Sequence, residues 1–373
     1  MIRILHSVSY MSRGGIETML MNYYRHIDRD KVQFDFLCNS YKKGDYEDEI
    51  ISMGGRIFRS PGFNPLKNHE YRKFMAGLFA SHPEYKIVEA HNGPFGRHAL
   101  KAAKDAGVPI RIYHAHGAGL PFNMKWPFKY YCMKTLKHYM NRHFICSEKA
   151  GRFYLGQTIM DNGDYQFIPN AIDPETFKYN QSARDRLRAE YNLEDKIVIG
   201  HIGRLSLPKN HKFLLKLFAE YSQNEPKAVL VLVGDGELRK EIQKSITELR
   251  LTDKVILTGI VANPQIWYQA FDIMVMPSLW EGLPVTGIEA QASDLPCIFS
   301  SEITKEVQLG EKVSFIGLNE QISKWVDGIT ELLKYKDSRT ECTELISEKH
   351  YNINIEAQRL QDLYLNFAEE LNQ

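Results

Sequence analysis

The chain has 373 residues, 43% hydrophobic and 25% charged, with a formal net charge of +1. That length exceeds one ordinary core and predicts about two domains. The balanced charge and ordinary composition exclude a general nucleic-acid binder and a disordered or low-complexity chain.

The chain opens on the strand run IRILHSV (2–8), which lacks the form of a signal-peptide core. Strand runs follow at VQFDFLC (32–38), KIVEAH (86–91), IRIYHAH (110–116) and HFICS (143–147), with amphipathic stretches near 15–26, 68–80, 95–106 and 128–141. A second series runs through KIVIGHIG (196–203), AVLVLVG (228–234), KVILTG (254–259), DIMVMPS (272–278) and PCIFS (296–300), again with helices between. Continuous apolar strands alternating with helices predict parallel sheets covered on both faces. Between the series, FIPNAIDPETFKYN (167–180) carries two prolines, two asparagines and an aspartate, and reads as a linker. The expected organisation is α/β, with two doubly wound domains at 1–172 and 173–353. A last helix near 354–373, with no strand after it, is able to pack back on the first domain. Open α/β sheets bind ligands at the carboxyl ends of their strands, so a site between the two domains is expected.

Candidate chemistry sits in loops that follow strands. Gly14 and Gly15 precede a helix starting near Ile16, where backbone amides suit an anion, although a tight turn alone also asks for them. Neither this pair nor GDGELR (234–239) completes the dinucleotide pattern G-x-G-x-x-G, which disfavours a dinucleotide-dependent oxidoreductase. In HIGRLSLPKN (201–210), Arg204 and Lys209 follow a buried strand and would grip a pyrophosphate, or else stand as solvated loop charges. In SLWEGLPVTGIEA (278–290), Glu281 lies in the loop after a strand, Pro284 at the expected first helical position, and Glu289 more than a turn further on. Amides near Gly282 and Leu283 are expected to face a ligand. Two carboxylates so spaced suit hydroxyls at the two ends of one polyhydroxylated molecule.

These motifs, in order along the chain with YHAHG (113–117), PNAID (169–173), VLVGDGEL (231–238) and LTGIV (257–261), resemble those of one family. It comprises the retaining, GT-B-fold bacterial polysaccharide and lipid glycosyltransferases, known as glycosyltransferase family 4 or glycosyl transferases group 1. The resemblance implies two Rossmann-like domains facing each other across a cleft. It also implies metal-independent, retaining transfer from a nucleotide-sugar such as a UDP-sugar, by front-face displacement. The acceptor would be a lipid-linked saccharide in surface polysaccharide synthesis. Site roles follow the same route: Glu281 with the Gly282 and Leu283 amides on the donor sugar, Arg204 and Lys209 on the diphosphate, Glu289 on the ribose, and Val261 by the base. Gly14, Gly15 and Pro284 join the donor site. A nucleotide-sugar epimerase and a catalytically silent sugar-nucleotide binder share the expected fold and stay open as alternatives.

His114 and His116 end the strand IRIYHAH and are expected to point to opposite faces, leaving one for the ligand. A strand-end histidine is more often structural than catalytic; the resemblance selects His116 for a polar contact with the donor sugar. Thr286 and Gly287 stand where the family usually has larger apolar residues, and Asp294 of ASDLP where it usually has glycine. These departures bear on donor identity.

No metal is expected: DRD (28–30) falls before a strand and reads as a solvated turn. Residues 106–147 contain no Asp or Glu but hold Arg111, Lys125, Lys129, Lys134, Lys137 and Arg142. The run 122–144 interleaves its lysines with Trp126 and Phe128, which suits an anionic membrane face or, equally, a helix whose cations snorkel along the core. No apolar run approaches the ~18 residues of a membrane helix. Five scattered cysteines, Cys38, Cys132, Cys146, Cys297 and Cys342, form no C-x-x-C pair and fit a reducing compartment. The expectation is a cytoplasmic protein, peripheral at the inner face of the cell membrane.

Overall fold

The computed structural model describes residues 1–63, 68–117, 119–120 and 124–371. The chain divides into two compact units, Met1–Ala171 with Ile353–Gln373, and Ile172–Asn352.

The first unit carries strands β1 (Ile2–Val8), β2 (Val32–Cys38), β3 (Ile57–Arg59), β4 (Ile87–Ala90), β5 (Ile110–Ala115), β6 (Arg142–Ile145) and β7 (Gln166–Phe167). They pair in parallel throughout, in the order β3-β2-β1-β4-β5-β6-β7. Every residue of β2 and β4 is buried, which is why both read as unbroken strand runs in the sequence. The helix Ile353–Glu370 belongs to this unit. Its Ile353, Ala357, Leu360, Tyr364 and Phe367, spaced four and three apart on one face, share a buried cluster with Ile4, Met19 and Tyr23.

The second unit carries β8 (Ile197–Ile202), β9 (Ala228–Val233), β10 (Val255–Gly259), β11 (Ile273–Met276), β12 (Cys297–Ser300) and β13 (Val313–Ile316). They too are parallel, in the order β10-β9-β8-β11-β12-β13. Leu230, Val275, Ile298 and Trp325 lie in its buried core. Both units are therefore doubly wound Rossmann-like sheets. Strand order reverses between β1 and β4 in one, and between β8 and β11 in the other. At such a reversal the loops leave in opposite directions and open a crevice at the carboxyl edge.

The three strands not expected from sequence, β3, β7 and β13, are the short edges of their sheets. None shows the continuous burial that makes an apolar run.

Two of the three departures from the family pattern, Asp294 and Gly287, have local consequences. Asp294 adopts φ 52°, a left-handed conformation that explains the usual glycine. Its carboxylate offsets that strain by accepting hydrogen bonds from Lys312 Nζ at 2.7 Å and from the Thr340 N–H at 2.6 Å. At Gly287 an added Cβ would lie 2.8 Å from Val307 Cγ2 and 3.2 Å from Phe299 Cζ, so the smaller residue lets its helix sit close on β12.

Candidate active site

In the second unit, the loop after β8 and the loop after β11 are joined by three bonds. The Leu279 N–H donates to the Pro208 carbonyl at 2.8 Å, and Asn210 Nδ2 to the Pro277 carbonyl at 3.0 Å. Lys209 Nζ pairs with Glu281 Oε1 at 2.7 Å, each side chain 16% exposed. Ser278 Oγ donates to the same carboxylate oxygen at 3.1 Å. Asn210, at φ 54°, makes the sharp turn that starts the helix His211–Asn224 and aims Lys209 across the gap. The lysine stem passes over Gly203, where an added Cβ would lie 3.1 Å from Lys209 Cε.

The expected cation pair is thus divided. Arg204, 72% exposed, turns away to Glu237 at 3.1 Å, while Lys209 faces the carboxylates. Arg204 is anchored at the backbone by close packing of the next loop: a Cβ on Gly234 would lie 2.2 Å from the Gly203 carbonyl oxygen. Glu289, on the helix Val285–Ala292, accepts a hydrogen bond from Tyr268 Oη at 2.5 Å. Burial pushes its carboxyl up to about 7, against the opposing pull of that hydrogen bond and of the Lys209 charge. Pro284 is the residue preceding this helix rather than its first turn, with φ −73° and ψ 110°. Gly282 is half-buried, Leu283 is buried, and Val261 lies half-buried just past β10.

In the first unit, histidines gather at the reversal between β1 and β4. His6 Nδ1 and His91 Nε2 are hydrogen-bonded at 3.0 Å, and His91 Nδ1 and His116 Nε2 at 2.9 Å. His114 Nδ1 lies 2.9 Å from Glu89 Oε1, and Glu89 also accepts from Tyr364. The expectation that His114 and His116 part to opposite faces is wrong: their ring centroids are 4.0 Å apart. Side chains alternate with period two along a strand, so residues two apart share a face. Burial holds His6 down to about 4 and His114 to about 3, and pushes His91 and His116 well below the usual range. His116 is half-buried and the other three are buried. Sequence reading missed His6, His91 and Glu89. Their signal was a histidine in or just after the strands KIVEAH and IRILHSV.

Gly14 and Gly15 stand at the start of the helix Gly15–His26, as expected. The amides there are not bare: an added Cβ on Gly14 would lie 2.4 Å from Glu17 Oε2, and the Glu17 carboxylate bonds its own backbone N–H.

Glycosyl transferases group 1 matches residues 183–348, and Glycosyltransferase Family 4 matches residues 13–176. A Bacillus subtilis (strain 168) protein named as a glycosyltransferase, EpsF, is 38% identical over 338 residues, 88% of this chain and 86% of its own. The chain belongs to this glycosyltransferase family. An Escherichia coli UDP-Gal:alpha-D-GlcNAc-diphosphoundecaprenol alpha-1,3-galactosyltransferase is 26% identical over 80% of the glycosyltransferase and 79% of its own length. The crystal structure of Anabaena HepE in complex with UDP-glucose superposes with a TM-score of 0.74 at 19% identity, covering 100% of both chains. That likeness supports the GT-B fold.

The basic run of this glycosyltransferase folds as the helix Trp126–Leu136, with residues 122–123 outside the described residues. Met124, Tyr130 and Tyr131 are exposed, as are Lys125, Lys134 and Lys137. Trp126 and Lys129 are half-buried, and the Trp126 ring stacks on Tyr130 at 5.2 Å. Phe128 is half-buried. Its ring faces inward, stacked on Phe63 at 5.8 Å and on His98 at 6.0 Å. DRD forms a turn ahead of β2, at the amino end of the sheet, where Asp28 pairs with Lys31 at 3.3 Å. No helix of the described residues is long and apolar enough to cross a membrane.

Proposed function

We propose that this glycosyltransferase moves a sugar from a UDP-sugar to a lipid-linked saccharide during polysaccharide synthesis, with retention at the anomeric carbon and without a divalent metal for transfer. The observation that carries the reading is Lys209 paired with Glu281 at the strand-order reversal of the second unit. A cation for phosphate and a carboxylate for hydroxyls there suit a sugar diphosphate. The UDP-glucose held by HepE and the diphosphoundecaprenol acceptor of the E. coli relative support the same substrate classes.

In this reading the second unit takes the donor and the first the acceptor. Glu281, with amides at Gly282 and Leu283 beside Pro284, holds the donor sugar. Glu289 holds the ribose and Val261 borders the base. Lys209, with Arg204 swung from Glu237, holds the diphosphate and stabilises charge on it as it leaves. Gly14, Gly15 and His116 are the first unit's own candidates for polar contacts with substrate. The bond from the anomeric carbon to the diphosphate oxygen breaks while the acceptor oxygen attacks from the same face. The acceptor proton passes to the leaving phosphate. Lys125, Lys129, Lys134, Lys137 and Trp126 attach the enzyme to an anionic membrane surface.

The test is incubation with a panel of UDP-sugars and a lipid-linked acceptor in the presence of a chelator, followed by NMR of the new linkage. Retained configuration with activity intact supports the reading. An inverted linkage, or activity restored only by added magnesium or manganese, overturns it. Release of an epimerised sugar nucleotide without acceptor would mean an epimerase.

A further inference from the structure

Glu289 stands on the helix Val285–Ala292, and its side chain takes one hydrogen bond among the described residues, from Tyr268 Oη to Oε2 at 2.5 Å. A glutamate side chain has several rotatable bonds and samples many rotamers unless a partner selects one. Its Oε1 has no partner among the described residues. The phenol therefore decides which carboxyl oxygen is left for a ligand.

Tyr268 is itself firmly held. It is fully buried, and its ring packs edge-on against Phe177 at 5.9 Å. It belongs to the helix Gln265–Ala270, whose carboxyl end two arginines grip. Arg184 Nη1 donates to the Gln269 and Phe271 carbonyls at 2.9 Å each, and Arg339 Nη2 to the Tyr268 carbonyl at 2.9 Å. This anchored helix precedes β11, and the helix of Glu289 follows that strand's carboxyl end. The phenol reaches from the one to the other.

We propose that Tyr268 is a positioning residue for Glu289: its hydroxyl fixes the carboxyl rotamer and leaves Oε1 for the ribose hydroxyls of the bound nucleotide. The inference rests on the assignment of Glu289 to the ribose. A side chain ordered before binding loses less freedom when the hydroxyls arrive. The same bond favours the ionised carboxyl, which accepts from ribose hydroxyls, whereas the protonated one carries its hydrogen on Oε1. Of the elements packed on this helix, Gln265–Ala270 carries Tyr268 as its one titratable group, Pro174–Phe177 the exposed Glu175, and β12 Cys297. Lys209 adds its charge from the loop after β8.

The test is calorimetry with UDP and 2′-deoxy-UDP between pH 5 and pH 8, on wild type, Tyr268→Phe and Glu289→Gln. Wild type should prefer UDP by ~10-fold or more at pH 8, and Glu289→Gln should lose most of that preference. Tyr268→Phe should weaken UDP binding ~3–10-fold, with a smaller loss for 2′-deoxy-UDP. The pH at which UDP affinity rises should move upward in Tyr268→Phe, because the bond that favours the carboxylate is gone. Phenylalanine keeps the packing on Phe177, so a role in packing alone moves neither readout. Tyr268→Phe matching wild type in either readout, while Glu289→Gln loses the preference, overturns the proposal and leaves the ribose assignment standing. No preference in wild type, or a full preference in Glu289→Gln, overturns the ribose assignment and the proposal with it. If Tyr268→Phe fails to fold, 3-fluorotyrosine placed at position 268, a more acidic donor, should move the midpoint downward. An unmoved midpoint then overturns the proposal.

Discussion

Lys209 and Glu281 close the crevice of the second sheet on each other, Nζ to Oε1 at 2.7 Å, with the Leu279 N–H bonded to the Pro208 carbonyl alongside. In the proposed reading, a diphosphate entering there would compete with Glu281 for the lysine. Glu281→Gln should leave nucleoside diphosphate binding unchanged or a few-fold tighter, because the competing charge is gone. Transfer should nonetheless fall ~10–100-fold in kcat/KM, since a charged hydrogen bond to the donor sugar contributes roughly 1.5–3 kcal/mol. Calorimetry with UDP beside steady-state kinetics separates the two. Kinetics within twofold of wild type would remove Glu281 from the donor site.

The split between Arg204 and Lys209 gives a second expectation. Lys209→Ala should weaken UDP binding by ten-fold or more and leave uridine binding nearly intact. Arg204→Ala should do the same only if Arg204 leaves Glu237 on binding, and Glu237→Gln should then modestly tighten UDP. An equal loss for UDP and uridine would point to damage to the fold.

Glu289 supplies the pH dependence. Its carboxyl rises from the ordinary 4.5 to about 7, so the folded chain holds a proton that the unfolded chain has released. Its contribution to stability is full below about 4.5 and is lost as pH rises through about 7. Relative to wild type, Glu289→Gln should therefore gain ~1–3 kcal/mol between pH 5 and pH 8 in denaturant unfolding, less whatever solvent screens. UDP affinity of the wild type should rise across the same interval, as the carboxylate becomes a better acceptor for ribose hydroxyls, and stay flat in the variant. Parallel pH profiles for the two proteins would falsify the assignment.

Asp294 carries left-handed strain and offsets it through Lys312 and Thr340. Asp294→Ala keeps the strain and loses the bonds, and should cost ~1–3 kcal/mol. Asp294→Gly loses the bonds but relieves the strain, and should recover ~1 kcal/mol of that loss. Thermal unfolding of the two variants ranks them; alanine as stable as glycine would mean that the backbone strain is negligible.

On the surface helix Trp126–Leu136, changing Lys125, Lys129, Lys134 and Lys137 to glutamine should remove salt-sensitive co-sedimentation with anionic vesicles, at ~1 kcal/mol per lysine near the surface. Phe128→Ala should leave vesicle binding intact and lower the unfolding temperature, because that ring stacks on Phe63 and His98. Loss of vesicle binding in Phe128→Ala with stability unchanged would reverse the orientation argued for this helix.

The sequence by itself determined the alternation, the interior strands and the order of the motifs. Parallel strands buried on both faces must be written as unbroken apolar runs, and β2, β4, β9 and β11 are buried at every residue. It also marked Lys209 and Glu281, because loop charges after such strands stand out against apolar neighbours, and Glu289, a charge within an otherwise uncharged helix. Edge strands β3, β7 and β13 left no such trace, being two to four residues long and half-covered. The sequence carries no sign that Arg204 turns to Glu237 while Lys209 meets Glu281, since rotamer choice follows from partners far along the chain. Nor does it show that the last helix returns to the first unit and sets Tyr364 on Glu89. His6, His91 and His114 are brought together from three strands that are neighbours only after the sheet reverses its order. Local periodicity is written in consecutive residues. Which side chains meet across a parallel sheet depends on strand order, and only folding fixes that.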